Sequence, residues 1–257
     1  MQRIEAEGLV YYRFESIPAR HGIFTRAGGM SAAPWNSLNL GGNVGDDPLA
    51  VRENHRRMYA ALGVNGDRAS TVWQVHSADV VYAAGPVPGR RWLAAADAMM
   101  TDQPDTPLAM RFADCTPILV CDTRRGAVGM AHAGWRGTVQ GISGELVRAM
   151  IEAFGSRPAD LVAGIGPSIG PEHYQVGEEV VEAVKAHFGA TDGLIARNPD
   201  DGTAYLDLWA ANRLDLERAG VAQVEVAGLS TAAHTSEFYS HRAEKGRTGR
   251  FGAVIAW

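Results

Sequence analysis

The chain contains only two cysteines, Cys115 and Cys121, and two lysines, Lys185 and Lys245, among 257 residues. Two cysteines exclude a disulfide-stapled scaffold. Both lie in "MRFADCTPILVCD", residues 110 to 122, whose apolar block reads as a strand. Six strand residues separate their Cα atoms by roughly 20 Å, beyond disulfide reach. Cys115 adjoins the polar pair Asp114 and Thr116 and is placed as a functional thiol, whereas Cys121 lies at the far end of the apolar run as packing. Long apolar runs are also missing: none approaches the ~20 residues of a membrane span. The stretch "MQRIEAEGLV" lacks a basic region followed by an apolar one, so a cytoplasmic location is expected. Low-complexity segments and fixed-period repeats are absent as well, and we read residues 1–257 as one domain.

What is present is a globular composition, 46% apolar and 21% charged. The formal charge of −5 argues against a nucleic-acid-binding or anionic-membrane surface and points to small ligands. With lysine nearly absent, the positive charge is arginine, whose planar fork suits phosphate and carboxylate. Strand-like runs fall at 9–14, 71–76, 80–84, 108–113, 117–121, 127–132, 161–165, 221–226 and 253–256. A helix is expected from Asp46-Asp47-Pro48 to Gly63, opened by a capping aspartate and a first-turn proline. A second spans about 138–154, with Ile142, Leu146, Met150 and Phe154 in one stripe and Gly155 as its stop. Two more cover 178–188 and 207–219. Several strands follow one another without a helix, so the fold class is α/β or α+β with a mixed or antiparallel sheet.

Three places carry chemistry. In "GAVGMAHAGWRGTVQGI" a strand ends at His132 and a helix starts shortly after, with Arg136 one turn ahead of the helix body. An anion can dock at such a junction, or Gly134 and Gly137 simply turn the chain. In "STVWQVHSADVV" His76 ends another strand. Singly, each histidine reads as a surface or packing residue. Together with Cys115, His76 and His132 have the residue types of a zinc site with two imidazoles, one thiolate and a fourth position for water. The same residues allow a metal-free hydrolase with Cys115 as nucleophile and His132 or His76 as base. A non-catalytic binding protein with a structural zinc is a third reading.

The motifs "HGIFTRAGGMS", "SLNLG", "VGDDP", "QVHS", "ADAMMTD", "DC" followed by "P", "HAGWRGT", "GPSIGP" with "YQVG", and "FYSHR" followed by "TGR" occur in this order between His21 and Arg250. In this the chain resembles the laccase-domain family, also called polyphenol oxidase or purine nucleoside phosphorylase family I. The resemblance implies a four-layer α/β/β/α sandwich with mixed sheets and a zinc site on His76, Cys115 and His132. It also implies phosphorolysis of adenosine, inosine and methylthioadenosine, and deamination of adenosine. Purine nucleoside and phosphate are then the partners, and the chain is a monomer or homodimer. Copper is the alternative ion, through an older label of phenol oxidation. A laccase in the strict sense holds several coppers largely on imidazoles, and this chain has eight histidines without one His-x-His pair. For phosphate the candidates are Arg136 and Arg242, with Arg26 behind them. His241, Ser37 and Asn39 are candidates for ribose or base, and Asp114 or Asp79 for carrying protons. Family members often carry a cysteine where this chain has Ser230, before Thr231, so a thiol role there is lost.

Overall fold

In the computed structural model, which describes residues 1–87 and 92–257, two large sheets lie face to face. The first has the order β1 (Gln2–Ala6), β2 (Leu9–Arg13), β3 (Arg20–Phe24), β14 (Phe251–Ala256), β6 (Leu108–Phe112), with every neighbour antiparallel. The second runs β13 (Gln223–Val226), β9 (Leu161–Ile165), β7 (Thr116–Asp122), β8 (Val128–Ala133), β5 (Ala98–Thr101), β4 (Val80–Tyr82). It is parallel only at its two edge pairs. This is the mixed arrangement expected from consecutive strands without intervening helices.

Layering follows from which faces are apolar. Ile23, Met110, Phe251 and Ile255 of the first sheet meet Met99, Leu119, Cys121 and Met130 of the second. The outer face of the second sheet, with Ile118, Val120 and Ala131, packs on Leu146 and Met150 of α3 (Ile142–Phe154) and Leu216 of α5 (Leu208–Arg218). Tyr11, Phe24 and Val254 of the first sheet's outer face pack on Met58, Tyr59 and Leu62 of α1 (Pro48–Leu62). The result is the α/β/β/α order. Every residue of β7 is buried, because both its faces are covered, and that is why its sequence reads as a continuous apolar run. A satellite cluster joins α4 (Glu178–Phe188) to a small sheet of β10 (Gln175–Val176), β12 (Ala204–Leu206) and β11 (Ile195–Arg197).

The caps of α1 are those expected: the Asp47 side chain accepts from Leu49 N–H, and Gly63 closes the helix at φ 63°. Two expectations change. The helix over 138–154 is divided, with α2 (Trp135–Thr138) separated from α3 by Gly141 in the left-handed region at φ 74°. A Cβ at Gly141 would also lie 2.9 Å from His187 Cε1, so the break is fixed by tertiary packing. The run 71–76 is not a strand; it makes one isolated bridge, Trp73 with Ala95, and ends in a bend at His76. Its N–H groups at Val75 and Ser77 bond the Asp97 carboxylate instead of a neighbouring strand. Strands β1, β3, β5 and the small sheet were not anticipated.

Candidate metal centre and cavity

Antiparallel register builds the centre. Thr116 pairs with Ala133, and Pro117 with His132, so Cys115 emerges from β7 beside the exit of β8. Gly134 lies between them; a Cβ there would stand 2.8 Å from Cys115 Sγ and 3.2 Å from His76 Cδ2. Only glycine leaves room for the thiol. His76 comes from the loop before β4 with φ 64°, an uncommon conformation for a residue with a side chain. The Asp97 carboxylate holds that loop: Oδ2 accepts from Val75 N–H at 2.9 Å and Ser77 N–H at 2.8 Å. Its Oδ1 accepts from His132 Nδ1 at 2.8 Å. One buried carboxylate thus orients one imidazole through its ring and the other through its backbone.

The ligand-type atoms of His76, Cys115 and His132 all lie within 4.8 Å of one another, with His76 exposed, Cys115 half-buried and His132 buried. Among the described residues this is the cluster able to hold a metal ion. The donor set fits zinc: two imidazoles and a sulfur, with the far nitrogen of His132 fixed by a carboxylate. Burial opposes ionisation of Cys115, but the imidazoles of His132 and His76 bring its thiol well below the ordinary range. Burial likewise disfavours a charged His132, and the Cys115 sulfur and Asp97 overcome it, moving the imidazole up. Asp97 resists burial through the His132 hydrogen bond and the two amides, which keep it below the usual carboxylate range. Gly134→Ala is expected to cost about 1–3 kcal/mol by overpacking and to lower metal content, measured by urea unfolding and elemental analysis.

The three residues open into a cavity of about 760 Å³. Of the anticipated residues, His76, Asp114, Cys115, His132, Arg136, His241 and Arg242 line it. Arg136 sits over the Trp135 ring at 4.6 Å, and Arg242 over Tyr174 at 5.3 Å. Helix α2 has only four residues, so few aligned dipoles stand behind an anion there and the guanidinium groups must supply the charge. Asp114, at φ 82°, accepts from Thr231 Oγ1 and from Arg242 N–H, both at 2.7 Å. Asp79 is exposed and lies outside the cavity lining.

Arg26, Ser37 and Asn39 are not brought to the cavity. Arg26 pairs with Glu244 at 3.0 Å, donates to the Asn36 and Thr235 carbonyls and covers the Tyr239 ring at 4.4 Å. Ser37 Oγ donates to the Arg26 carbonyl and accepts from Gly29 N–H. Buried Asn39 accepts from Gly41 and Arg250 N–H and donates to Asp46. Their bonds staple the chain segments that frame the cavity. Ser230 is buried, its Oγ accepting from Gly170 N–H at 3.0 Å, also away from the lining.

Sequence reasoning missed Asp97, which holds His132 from behind, and Arg52, Arg111 and Arg250, which line the cavity. Asp97 carried a usable signal: one carboxylate inside the apolar run "AAADAMM", where burial demands partners. Among the described residues none of Arg52, Arg111, Arg136, Arg242 and Arg250 forms an ion pair with a carboxylate.

Fold and cluster together define a class of protein, a four-layer sandwich with a His–Cys–His centre at the rim of one central sheet. Within that class the chain belongs to the family described as multi-copper polyphenol oxidoreductase laccase, whose sequence model matches residues 20–257. The Deinococcus radiodurans protein named purine nucleoside phosphorylase is 42% identical over 250 residues, covering 97% of this chain and 94% of that relative. Escherichia coli purine nucleoside phosphorylase YfiH is 36% identical over 234 residues, 90% of each chain. The crystal structure of YlmD from Geobacillus stearothermophilus superposes with a TM-score of 0.93 at 36% identity, covering 98% of this chain and 97% of that one. Among the described residues no helix is long and apolar enough to cross a membrane.

Proposed function

We propose that this chain is a zinc-dependent purine nucleoside phosphorylase, acting on adenosine, inosine and methylthioadenosine, and that it also deaminates adenosine. The observation that carries this reading is the meeting of His76, Cys115 and His132 with Arg136 and Arg242 in one cavity. The names of the similar proteins support the purine nucleoside part. We take residues 1–257 as one cytoplasmic domain, monomeric or dimeric.

His76, Cys115 and His132 would hold the ion, and zinc, when bound, would supply Lewis acidity. Phosphorolysis joins a phosphate oxygen to ribose C1′ while the C1′–N9 bond breaks; the purine leaves with the electron pair and takes up a proton. Arg136 and Arg242 hold the phosphate, each guanidinium lying over a ring that limits its motion. The Asp114 carboxylate, oriented by Thr231 and the Arg242 amide and lining the cavity, carries the proton in deamination, in which water adds at C6 and ammonia leaves.

A second reading has one specific observation in its favour. Asp97, His132 and Cys115 form a carboxylate–imidazole–thiol chain, the order of orienter, base and nucleophile in a cysteine hydrolase. A multi-copper oxidase has less support, since the described residues offer one three-ligand cluster. With adenosine and phosphate the protein is expected to release adenine and ribose 1-phosphate, identified by mass spectrometry, and to stop after chelation. Chelator-insensitive turnover with an alkylatable Cys115 would favour the hydrolase instead.

A further inference from the structure

The cavity holds more positive charge than one inorganic phosphate requires. Arg136 and Arg242 stand on α2 and on the segment before β14, beside Tyr174. Two further arginines, Arg52 of α1 and Arg111 of β6, line the same cavity. Arg111 is fixed by three neighbours: it donates to Thr71 Oγ1 at 3.1 Å, to the Val72 carbonyl at 2.9 Å and to Gln74 Oε1 at 3.1 Å. All three acceptors are neutral. Burial presses its guanidinium below the ordinary pKa, yet among the described residues no carboxylate stands within ion-pair distance. A cation withdrawn from water without a counter-charge is costly, and a protein keeps one where a ligand supplies the anion. Trp73 and Trp92, edge to face at 4.5 Å, also line the cavity.

We propose that Arg52 of α1 and Arg111 of β6 form a second anion subsite in this cavity, and that beside the neutral nucleosides the protein takes a purine nucleoside carrying its own phosphate, adenosine 5′-monophosphate being the simplest case. The inference rests on the phosphorylase reading. The reaction balances: the nucleotide and inorganic phosphate give ribose 1,5-bisphosphate and adenine. The C1′–N9 bond breaks, a C1′–O bond forms, and the departing base takes the electron pair and a proton. Arg136 and Arg242 face the attacking phosphate, while Arg52 and Arg111 face the one the substrate brings. A neutral nucleoside is turned over without engaging the second pair.

The test compares kcat/KM for phosphorolysis of AMP and of adenosine in wild type, Arg52→Ala and Arg111→Gln, with calorimetric affinities for both ligands. AMP is expected to exceed adenosine by at least about tenfold in both measurements, the size of one charge-assisted contact. That ratio should collapse toward unity in each variant. Arg52 is exposed on its helix, so its replacement is compatible with an intact fold even where loss of Arg111 is not. AMP bound and turned over no better than adenosine, or a ratio unmoved by Arg52→Ala, overturns the second subsite and leaves adenosine phosphorolysis standing. Release of base from neither compound would end the phosphorylase reading as well.

Discussion

Replacing Cys115 with serine is expected to strip the metal from the purified protein, from about one ion per chain to less than about a tenth, and to lower kcat/KM on the order of a thousandfold or more. Serine keeps the size of the side chain. It removes the one soft anionic donor from a set whose other members are imidazoles, and an alcohol does not ionise near neutral pH as this thiol does. The fold should survive, because Cys115 precedes β7 and contributes nothing to the apolar clusters that hold the two sheets together. Elemental analysis, circular dichroism and steady-state kinetics on the same preparation separate the outcomes. Full metal content with wild-type turnover would remove Cys115 from the ligand set. Full metal content with lost turnover, in an enzyme that also resists chelators, would make Cys115 the nucleophile of the second reading.

The parts of the fold legible in the sequence are those set by neighbours along the chain. Asp47, Pro48 and Gly63 bound α1 because a capping carboxylate, a fixed φ and a left-handed stop act within a few residues. Strand β5 escaped notice for the opposite reason. Ala98-Met99-Met100-Thr101 has little β-branched character, and it is a strand because β4 and β8 flank it and both its faces are buried. The run 71–76 had the right alternation for a strand, but Asp97, more than twenty positions later, captures its amides. The types of the three ligand residues were readable from His76, Cys115 and His132; their convergence depends on strand register and on one remote carboxylate. Arg26, Ser37 and Asn39 sit in motifs as recognisable as those of the cavity residues. Only the structure shows that their polar atoms face other chain segments.

Asp97 is therefore where a single substitution should couple stability to metal binding. Its carboxylate accepts three hydrogen bonds, from His132 Nδ1, Val75 N–H and Ser77 N–H. Asp97→Asn keeps the shape but turns an NH₂ group toward at least one of these donors, and an amide is a weaker partner for the imidazole. The expected result is a 10- to 100-fold loss of zinc affinity, roughly the cost of removing the outer partner of a metal-bound histidine. Asp97→Ala removes every acceptor from a fully buried site, at about 1–3 kcal/mol for each of the three donors left unsatisfied, so about 3–9 kcal/mol of stability is expected to go. The His76 loop, released from its left-handed turn, then loses its fixed distance to Cys115, and zinc binding should fall further than in the asparagine variant. Competition with a chromophoric chelator measures the affinities and urea unfolding the stabilities. If Asp97→Ala unfolds at lower urea while its zinc affinity equals that of wild type, the carboxylate holds the sheet rim alone, and the ion's geometry is set by the three ligands themselves.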